Sequence, residues 1–185
     1  MSTQALEQAV AISRGILENV KADQLGDTTP CAQWNVGGLI DHMVGANIFF
    51  SSGVTGAPPA GIEAKFSEGD YLAAFDEHSA ACIAAFQGEG VMEKMLTLPF
   101  GVMPGVAFVG LATNDTFTHA WDLAKATGQD TNIAPDLAAT LLAAAKLSIQ
   151  PAFRSEDGAV FGMEQAAPEG ASNADQLAAF LGRTV

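Results

Sequence analysis

Hydrophobic residues recur along most of the chain at intervals of three and four positions, which is the spacing of one face of an α-helix. The pattern predicts a first helix over residues 3–21. A second helix begins at residue 36, with Asn35 as its N-cap, and a third covers residues 71–86, with Asp70 as its cap. The N-terminal half of the chain is therefore predicted to be helical.

Glycines and prolines separate these helices from one another. Residues 53–69 contain the Pro58-Pro59 pair and are predicted to form a surface connection. Residues 92–104 contain an apolar stretch interrupted by prolines and a glycine, which favours a short hairpin or an extended crossover over a helix.

The C-terminal half returns to helical spacing. Helices are predicted over residues 105–127, where Gly128 is a typical stop signal, and over residues 135–149, which begin with a proline. Residues 160–168 are expected to be extended, and Asn173 is expected to cap a short final helix. Several helices of similar length around one core predict a mainly all-α bundle.

Composition supports one domain over residues 1–185, because 49% of the residues are hydrophobic and 16% are charged.

The formal net charge is -13, from 21 acidic and 8 basic residues. No basic cluster is available for nucleic acid or an anionic membrane surface. No signal peptide, no long apolar span and no paired cysteine motif is evident, so a cytoplasmic location is expected.

The fourth predicted helix carries the first candidate for chemistry, since Asp115 and His119 are four residues apart and share one face. Phe108, Leu111 and Ala112 precede them in the same direction, so this face is expected to point into the core. A carboxylate that points inward needs a partner. The spacing alone leaves two interpretations open: a hydrogen-bonded Asp–His pair within the helix, or part of a metal site.

Two other histidines complete the set of three in this chain. His42 lies beside the apolar stripe of the second helix, which fits either a hydrogen-bonded histidine at the edge of the core or a ligand. Asp41 diverges from it by about a quarter turn and is expected to face solvent. His78 is expected at the surface. Asp122 returns to the face of Asp115, where it can support a site or form a simple hydrogen bond or salt bridge.

Three blocks of sequence resemble a known family in their order and spacing: TPCAQWNVGGLIDHMVGAN, NDTFTHAWDLAKATGQD and VFGMEQAAPEGASNADQLAAFLGR. The chain resembles actinobacterial proteins related to the N-terminal domain of mycothiol-dependent maleylpyruvate isomerase, within the DinB-like superfamily. The resemblance implies a four-helix bundle with a long connection, here with a short extended crossover and extra C-terminal helices. It implies metal ligands at His42, Asp115 and His119. The family pattern has glutamate where this chain has Asp115, which is shorter by one methylene.

Two imidazoles and a carboxylate suit Zn²⁺ with open coordination positions, and such sets also accept Ni²⁺ or Fe²⁺. In related enzymes the open position binds the sulfur of a low-molecular-weight thiol such as mycothiol or bacillithiol. Arg14, Lys65 and Arg154 could anchor an acidic thiol, although each is expected to be solvated.

The resemblance covers only the N-terminal domain of the isomerase, so thiol S-transfer to an electrophile is the implied activity, rather than isomerisation. A non-catalytic metal- or ligand-binding bundle is the alternative, and an Asp–His cluster without a metal is the third interpretation. A homodimer is compatible with the family fold.

Overall fold

The computed structural model describes residues 2–155 and 161–185, which contain six α-helices and one β-hairpin. The helices are α1 (Thr3–Glu18), α2 (Val36–Thr55), α3 (Tyr71–Phe86), α4 (Gly105–Thr127), α5 (Pro135–Ser148) and α6 (Asn173–Phe180). The strands are β1 (Met95–Leu98) and β2 (Gly101–Pro104), which pair in antiparallel fashion. Short 3-10 turns lie at Ala22–Gln24, Phe66–Glu68 and Pro151–Phe153. The predicted mainly helical fold is confirmed.

The first four helices form a four-helix bundle. Helix α2 packs against α3 and α4, and α1 packs against the same two helices from the other side. The hairpin connects α3 to α4, while α5 and α6 pack against each other and α6 contacts α4. No helix within residues 2–155 and 161–185 combines the length and the apolar character needed to cross a membrane.

Local sequence signals account for most helix ends. The side chains of Asn35 and Asp70 each accept a hydrogen bond from a backbone N–H three residues ahead, at 2.8 and 3.0 Å, as predicted. Gly128 ends α4 with a φ of 71°, in the left-handed region that glycine adopts readily. The predicted cap of α6 was wrong by one residue, because the Ser172 hydroxyl caps it and Asn173 is its first residue.

Two other boundaries differ from the prediction. Helix α1 ends at Glu18, and the separate Ala22–Gln24 turn follows it. Helix α2 continues to Thr55, past Gly53, which was assigned to the connection. Of the stretch predicted as extended, residue 160 lies outside the described residues. Residues 161–168 contain no helix, and Phe161 forms a single parallel bridge.

The buried apolar residues form three clusters along the bundle. The central cluster joins α1, α2, α3 and α4, the second lies beside the hairpin, and the third lies under α5 and α6. The largest fully buried side chains are Trp121, Phe75, Phe86, Phe108 and Phe117. Trp121 also donates a hydrogen bond to Asp175 at 2.8 Å, which fastens α6 to α4. Helix α4 contributes to all three clusters, and α2 contributes to the central cluster and to the cluster beside the hairpin.

The contact between α2 and α4 beside the hairpin depends on Gly53. A Cβ atom at this position would lie 2.7 Å from Cε1 and Cζ of the fully buried Phe108 ring, and 2.9 Å from Cδ2 of Leu98. These distances are shorter than carbon atoms tolerate, and the Phe108 ring is buried between the rings of Phe50 and Phe86, so a shift would disturb the core packing. Glycine at this position is required for packing, although it is a weak helix former.

Gly53→Ala is expected to lower the free energy of unfolding by about 1–3 kcal/mol, because the added methyl overpacks the core. The matched control is Gly15→Ala in α1, where a Cβ atom meets nothing within 4 Å. That variant is expected to gain up to about 1 kcal/mol from helix propensity. Urea unfolding followed by circular dichroism measures both changes, and equal effects in the two variants would contradict the packing argument.

Candidate metal centre

Helices α2 and α4 bring the three predicted ligands to one point. One ligand atom from each of His42, Asp115 and His119 lies within 4.8 Å of the other two. Nε2 of His42 and Nε2 of His119 are 3.7 and 3.6 Å from the same carboxylate oxygen, Oδ1 of Asp115. The two imidazole rings meet nearly edge to face, with centroids 4.6 Å apart.

This arrangement fits a metal ion better than a hydrogen-bonded cluster. Separations of 3.6 and 3.7 Å are too long for hydrogen bonds between a ring nitrogen and a carboxylate. They approach the distance of about 3.3 Å between tetrahedral ligands that each lie about 2.0 Å from a zinc ion. Nε2 of His42 is buried and has no hydrogen-bond partner, which is unfavourable unless another group occupies the site.

The surroundings of Asp115 favour the charged form of its carboxylate. Burial raises its pKa, but the charge of His119 and the proximity of His42 outweigh burial, and the pKa lies below its usual value. A carboxylate that binds a cation must be deprotonated. The charged form of the Asp115 carboxylate therefore suits a divalent cation.

The other ring nitrogen of His119 is bound to a buried acid. Nδ1 lies 3.0 Å from Oδ2 of Asp122, whose side chain is fully buried. Because a carboxylate only accepts hydrogen bonds, Nδ1 must carry a proton in this contact. In the neutral form of the ring, Nε2 then holds the free lone pair, and Nε2 is the atom that faces Asp115. Asp122 thus forms a hydrogen bond on its own helix, which is one of the interpretations that the sequence left open, and this bond orients the ring of a candidate ligand.

Arg183, which follows α6, neutralises Asp122 from the far end of the chain. Its Nε and Nη2 atoms donate to Oδ1 and Oδ2 of Asp122 at 3.1 and 2.9 Å. Burial raises the pKa of Asp122, but the hydrogen bond to His119 and the charge of Arg183 hold it below its usual value. Sequence reasoning missed Arg183. The available signals were its place at the end of the third family block and the need of an inward Asp122 for a cation.

Trp34 covers the imidazole of His42. The two rings stack with centroids 4.2 Å apart and an angle of 20° between their planes, and the indole meets His119 edge-on at 5.6 Å. The turn before α2 holds Trp34, since the Thr29 hydroxyl donates to its carbonyl oxygen at 2.8 Å. The indole therefore covers one face of the His42 ring and restricts its orientation.

The same turn contains Cys31, which is half-buried, whereas Cys82 is buried in the core. Burial raises the pKa of the Cys31 thiol, and the charge of Asp122 raises it further. Burial also raises the pKa of Cys82, to about 12. Both thiols are consequently protonated near neutral pH and are poor nucleophiles.

Three expectations for neighbouring residues need correction or refinement. Asp41 does not face solvent: it is 9% exposed and accepts a hydrogen bond from the Ser67 backbone N–H at 2.8 Å. Leu111 is 38% exposed, so it does not share the inward direction of Phe108. His78 is half-buried against the ring of Phe66 and lies outside the three-ligand cluster.

A cavity of about 500 Å³ opens beside the cluster, between α2 and residues 62–65. Its lining includes His42, Asp115 and Phe49. Of the three cations considered as anchors, Lys65 lines this cavity. Arg14 instead pairs with Asp76 at 2.7 Å, and Arg154 donates to the carbonyl oxygens of Gly162 and Phe180.

Solved structures with the same fold include the crystal structure of the mycothiol-dependent maleylpyruvate isomerase, with a TM-score of 0.60 at 16% sequence identity. A histidine-to-alanine mutant of that isomerase matches with a TM-score of 0.59 at 15% identity. Each comparison covers 77% of this chain and 66% of the other, just under two thirds of the isomerase. At this identity the likeness shows the fold.

Two proteins of Mycobacterium tuberculosis are similar over the full length. Uncharacterized protein MT0763 of strain CDC 1551 / Oshkosh and uncharacterized protein Rv0738 of strain H37Rv are each 44% identical over 185 residues. Each match covers 100% of this chain and 97% of the relative. A family profile, described as the mycothiol maleylpyruvate isomerase N-terminal domain, matches residues 6–124. These residues include all three candidate ligands, and the chain belongs to this family.

Proposed function

We propose that His42, Asp115 and His119 bind one divalent metal ion, with Zn²⁺ the best fit and Ni²⁺ or Fe²⁺ also suited to the ligand set. The observation that carries the proposal is the buried, unpartnered Nε2 of His42, which faces a carboxylate and a second imidazole. The bond from His119 to Asp122 adds support, because it leaves only Nε2 of His119 free to bind a cation.

The proposed cosubstrate is a low-molecular-weight thiol such as mycothiol. Support comes from the family, whose description names mycothiol. When bound, a divalent ion supplies positive charge that lowers the pKa of a nearby thiol and so favours the nucleophilic thiolate. The protein's own thiols are protonated near neutral pH, so an external thiol fits the role of nucleophile better.

The proposed reaction is transfer of the thiol to an electrophile. In an addition to an activated double bond, the sulfur–carbon bond forms as the double bond opens, and the neighbouring carbon takes up the proton lost by the thiol. No oxidant or reductant is needed. Asp122 and Arg183 orient His119, Trp34 stacks on one face of the His42 ring, and the adjacent cavity offers space for the electrophile.

The second candidate function is a non-catalytic metal- or ligand-binding bundle. Its support is that the ligands come from two helices, so an ion bound by His42 and His119 would join α2 to α4. Metal affinity would then add to the free energy of folding. Loss of stability on chelation, without thiol turnover in the presence of metal, would favour this second function.

The metal site is tested by removing its ligands one at a time. Purified protein is expected to contain about one equivalent of metal, whereas His42→Ala and His119→Ala are expected to contain little, since each leaves only two ligands. His78→Ala is the matched control, because it removes the one histidine outside the cluster. Inductively coupled plasma mass spectrometry gives the metal content. Protein that stays metal-free after incubation with Zn²⁺, Ni²⁺ or Fe²⁺ would contradict the proposal.

The hydrogen bonds that join His119 to Asp122 and Asp122 to Arg183 are expected to strengthen metal binding. Asp122→Asn is expected to weaken Zn²⁺ affinity by about 10–100-fold, because the amide no longer holds the ring as a charged acceptor. Affinity is measured by competition with a chromophoric chelator. Asp130→Asn makes the same change at an exposed position outside the cluster and is expected to leave the affinity unchanged. Equal affinities of the Asp122→Asn variant and the parent would refute a role for these hydrogen bonds.

Turnover separates the two candidate functions. Metal-loaded protein is expected to accelerate the conjugation of mycothiol to an activated alkene, followed by the loss of alkene absorbance. Activity is expected to fall to background after chelation or in His42→Ala, and to persist in His78→Ala. Metal-loaded protein that is no faster than buffer across a panel of electrophiles would leave the non-catalytic bundle as the function.

A further inference from the structure

One face of α2 forms the floor of the cavity beside the candidate metal centre. The residues on this face are spaced by three and four positions: Gly38, His42, Gly45, Ala46 and Phe49. The face changes in character along its length. Its middle carries His42, next to Asp115, and its far end carries an aromatic ring.

The opposite wall consists of residues 62–65 and is held close to α2. A Cβ atom on Gly45 would lie 3.0 Å from the carbonyl oxygen of Ile62, so the absence of a side chain lets this wall approach the helix. Asp41 secures the same segment by accepting the hydrogen bond from the Ser67 backbone. The cavity is thus shaped before any ligand binds, as is usual for small-molecule sites.

Much of the lining is apolar. Phe49, Phe50, Ile62 and Ala46 line the cavity, together with the indole of Trp34 that stacks on His42. Such a lining favours the burial of carbon atoms, at about 25 cal/mol per Å² of apolar surface. A volume of about 500 Å³ lies within the usual range for small-molecule sites.

The charges on the lining disfavour an anionic occupant. The lining residues, all in the described part of the chain, include three carboxylates, Asp41, Glu63 and Asp115, and one ammonium group, that of Lys65. The Lys65 Nζ atom already lies 3.3 Å from Oδ2 of Asp41. A carboxylate on a ligand would therefore find no unpaired cation on the lining and would be repelled by Glu63.

We propose that this cavity binds the uncharged, mainly apolar body of the electrophile, with its reactive end at His42 and Asp115, and that it discriminates against ligands that carry carboxylates. The identification of the occupant as the electrophile rests on the function proposed above. The cavity itself and its charge preference do not require a metal ion or a thiol, so they can be tested separately.

The test uses one aromatic body with zero, one or two carboxylates: 1-naphthaleneacetamide, 1-naphthaleneacetate and 1-naphthylmalonate. Isothermal titration calorimetry is performed on full-length protein stripped of metal, so that no carboxylate can bind an ion. The amide is expected to bind tightest, and each carboxylate is expected to weaken binding by about ten-fold. Equal affinity for the amide and the malonate, or no binding of the amide, would overturn the proposal.

Two variants locate the binding and its charge preference. Ala46→Phe fills the floor of the cavity and is expected to abolish amide binding, with circular dichroism as the check that the helices remain folded. Glu63→Lys changes an exposed residue of the wall and is expected to raise the ratio of acetate affinity to amide affinity by about ten-fold. Its matched control is Glu89→Lys, an exposed residue that does not line the cavity.

The outcomes distinguish this inference from the proposed function. Unchanged amide binding in folded Ala46→Phe, or equal gains in Glu63→Lys and Glu89→Lys, would overturn the cavity assignment even if the protein binds metal and conjugates thiols. Conversely, the stripped protein could bind the three ligands in the expected order and yet never take up metal. That result would support the cavity assignment and rule out the metal-dependent function.

Discussion

Helices α2 and α4 pack closely because Gly53 has no side chain to hold the Phe108 ring away. This contact lies beside the hairpin. From there, both helices continue to the position of the three candidate ligands. His42 belongs to one helix, while Asp115 and His119 belong to the other. Their ligand atoms converge within 4.8 Å only because the packing fixes the separation and rotation of the two helices. The apolar core thus determines the geometry of the polar cluster.

Buried charge is the second constraint on the structure. A carboxylate without a partner in the core is costly, and Asp122 meets this requirement through His119 on its own helix and Arg183 beyond α6. The interaction joins the last residues of the chain to the centre of the bundle. It also places a proton on Nδ1 of His119, so a contact that stabilises the fold leaves Nε2 as the candidate ligand atom. The same contact of Asp122 thus serves the fold and the proposed metal site.

The acidic residues of the chain affect the cavity in particular. A net charge of -13 spread over the surface mainly affects solubility, but three carboxylates on one small lining affect which molecules can enter. A divalent ion at the three ligands would offset part of this charge near His42 and Asp115. It would leave Glu63, on the opposite wall, facing any occupant. The family fold is thus combined here with a pocket whose charge favours uncharged carbon skeletons.

The sequence by itself determined the helices, most of their ends and the identity of the candidate ligands. Helical periodicity and the caps Asn35 and Asp70 act over three or four residues, so they can be read locally. Spacing alone could not choose between a hydrogen-bonded Asp115–His119 pair and a metal site. The family resemblance added His42, which lies far from that pair in the chain.

Only the tertiary structure decided which distant residues support the ligands and shape the cavity. Arg183 is 61 residues from Asp122, and Ser67 is 26 residues from Asp41. Neither contact follows from periodicity, because each depends on how separate elements pack against the bundle. The same reason explains why Gly53 was misassigned to a loop: its role is set by the ring of Phe108 on another helix, and helix propensity carries no information about that neighbour.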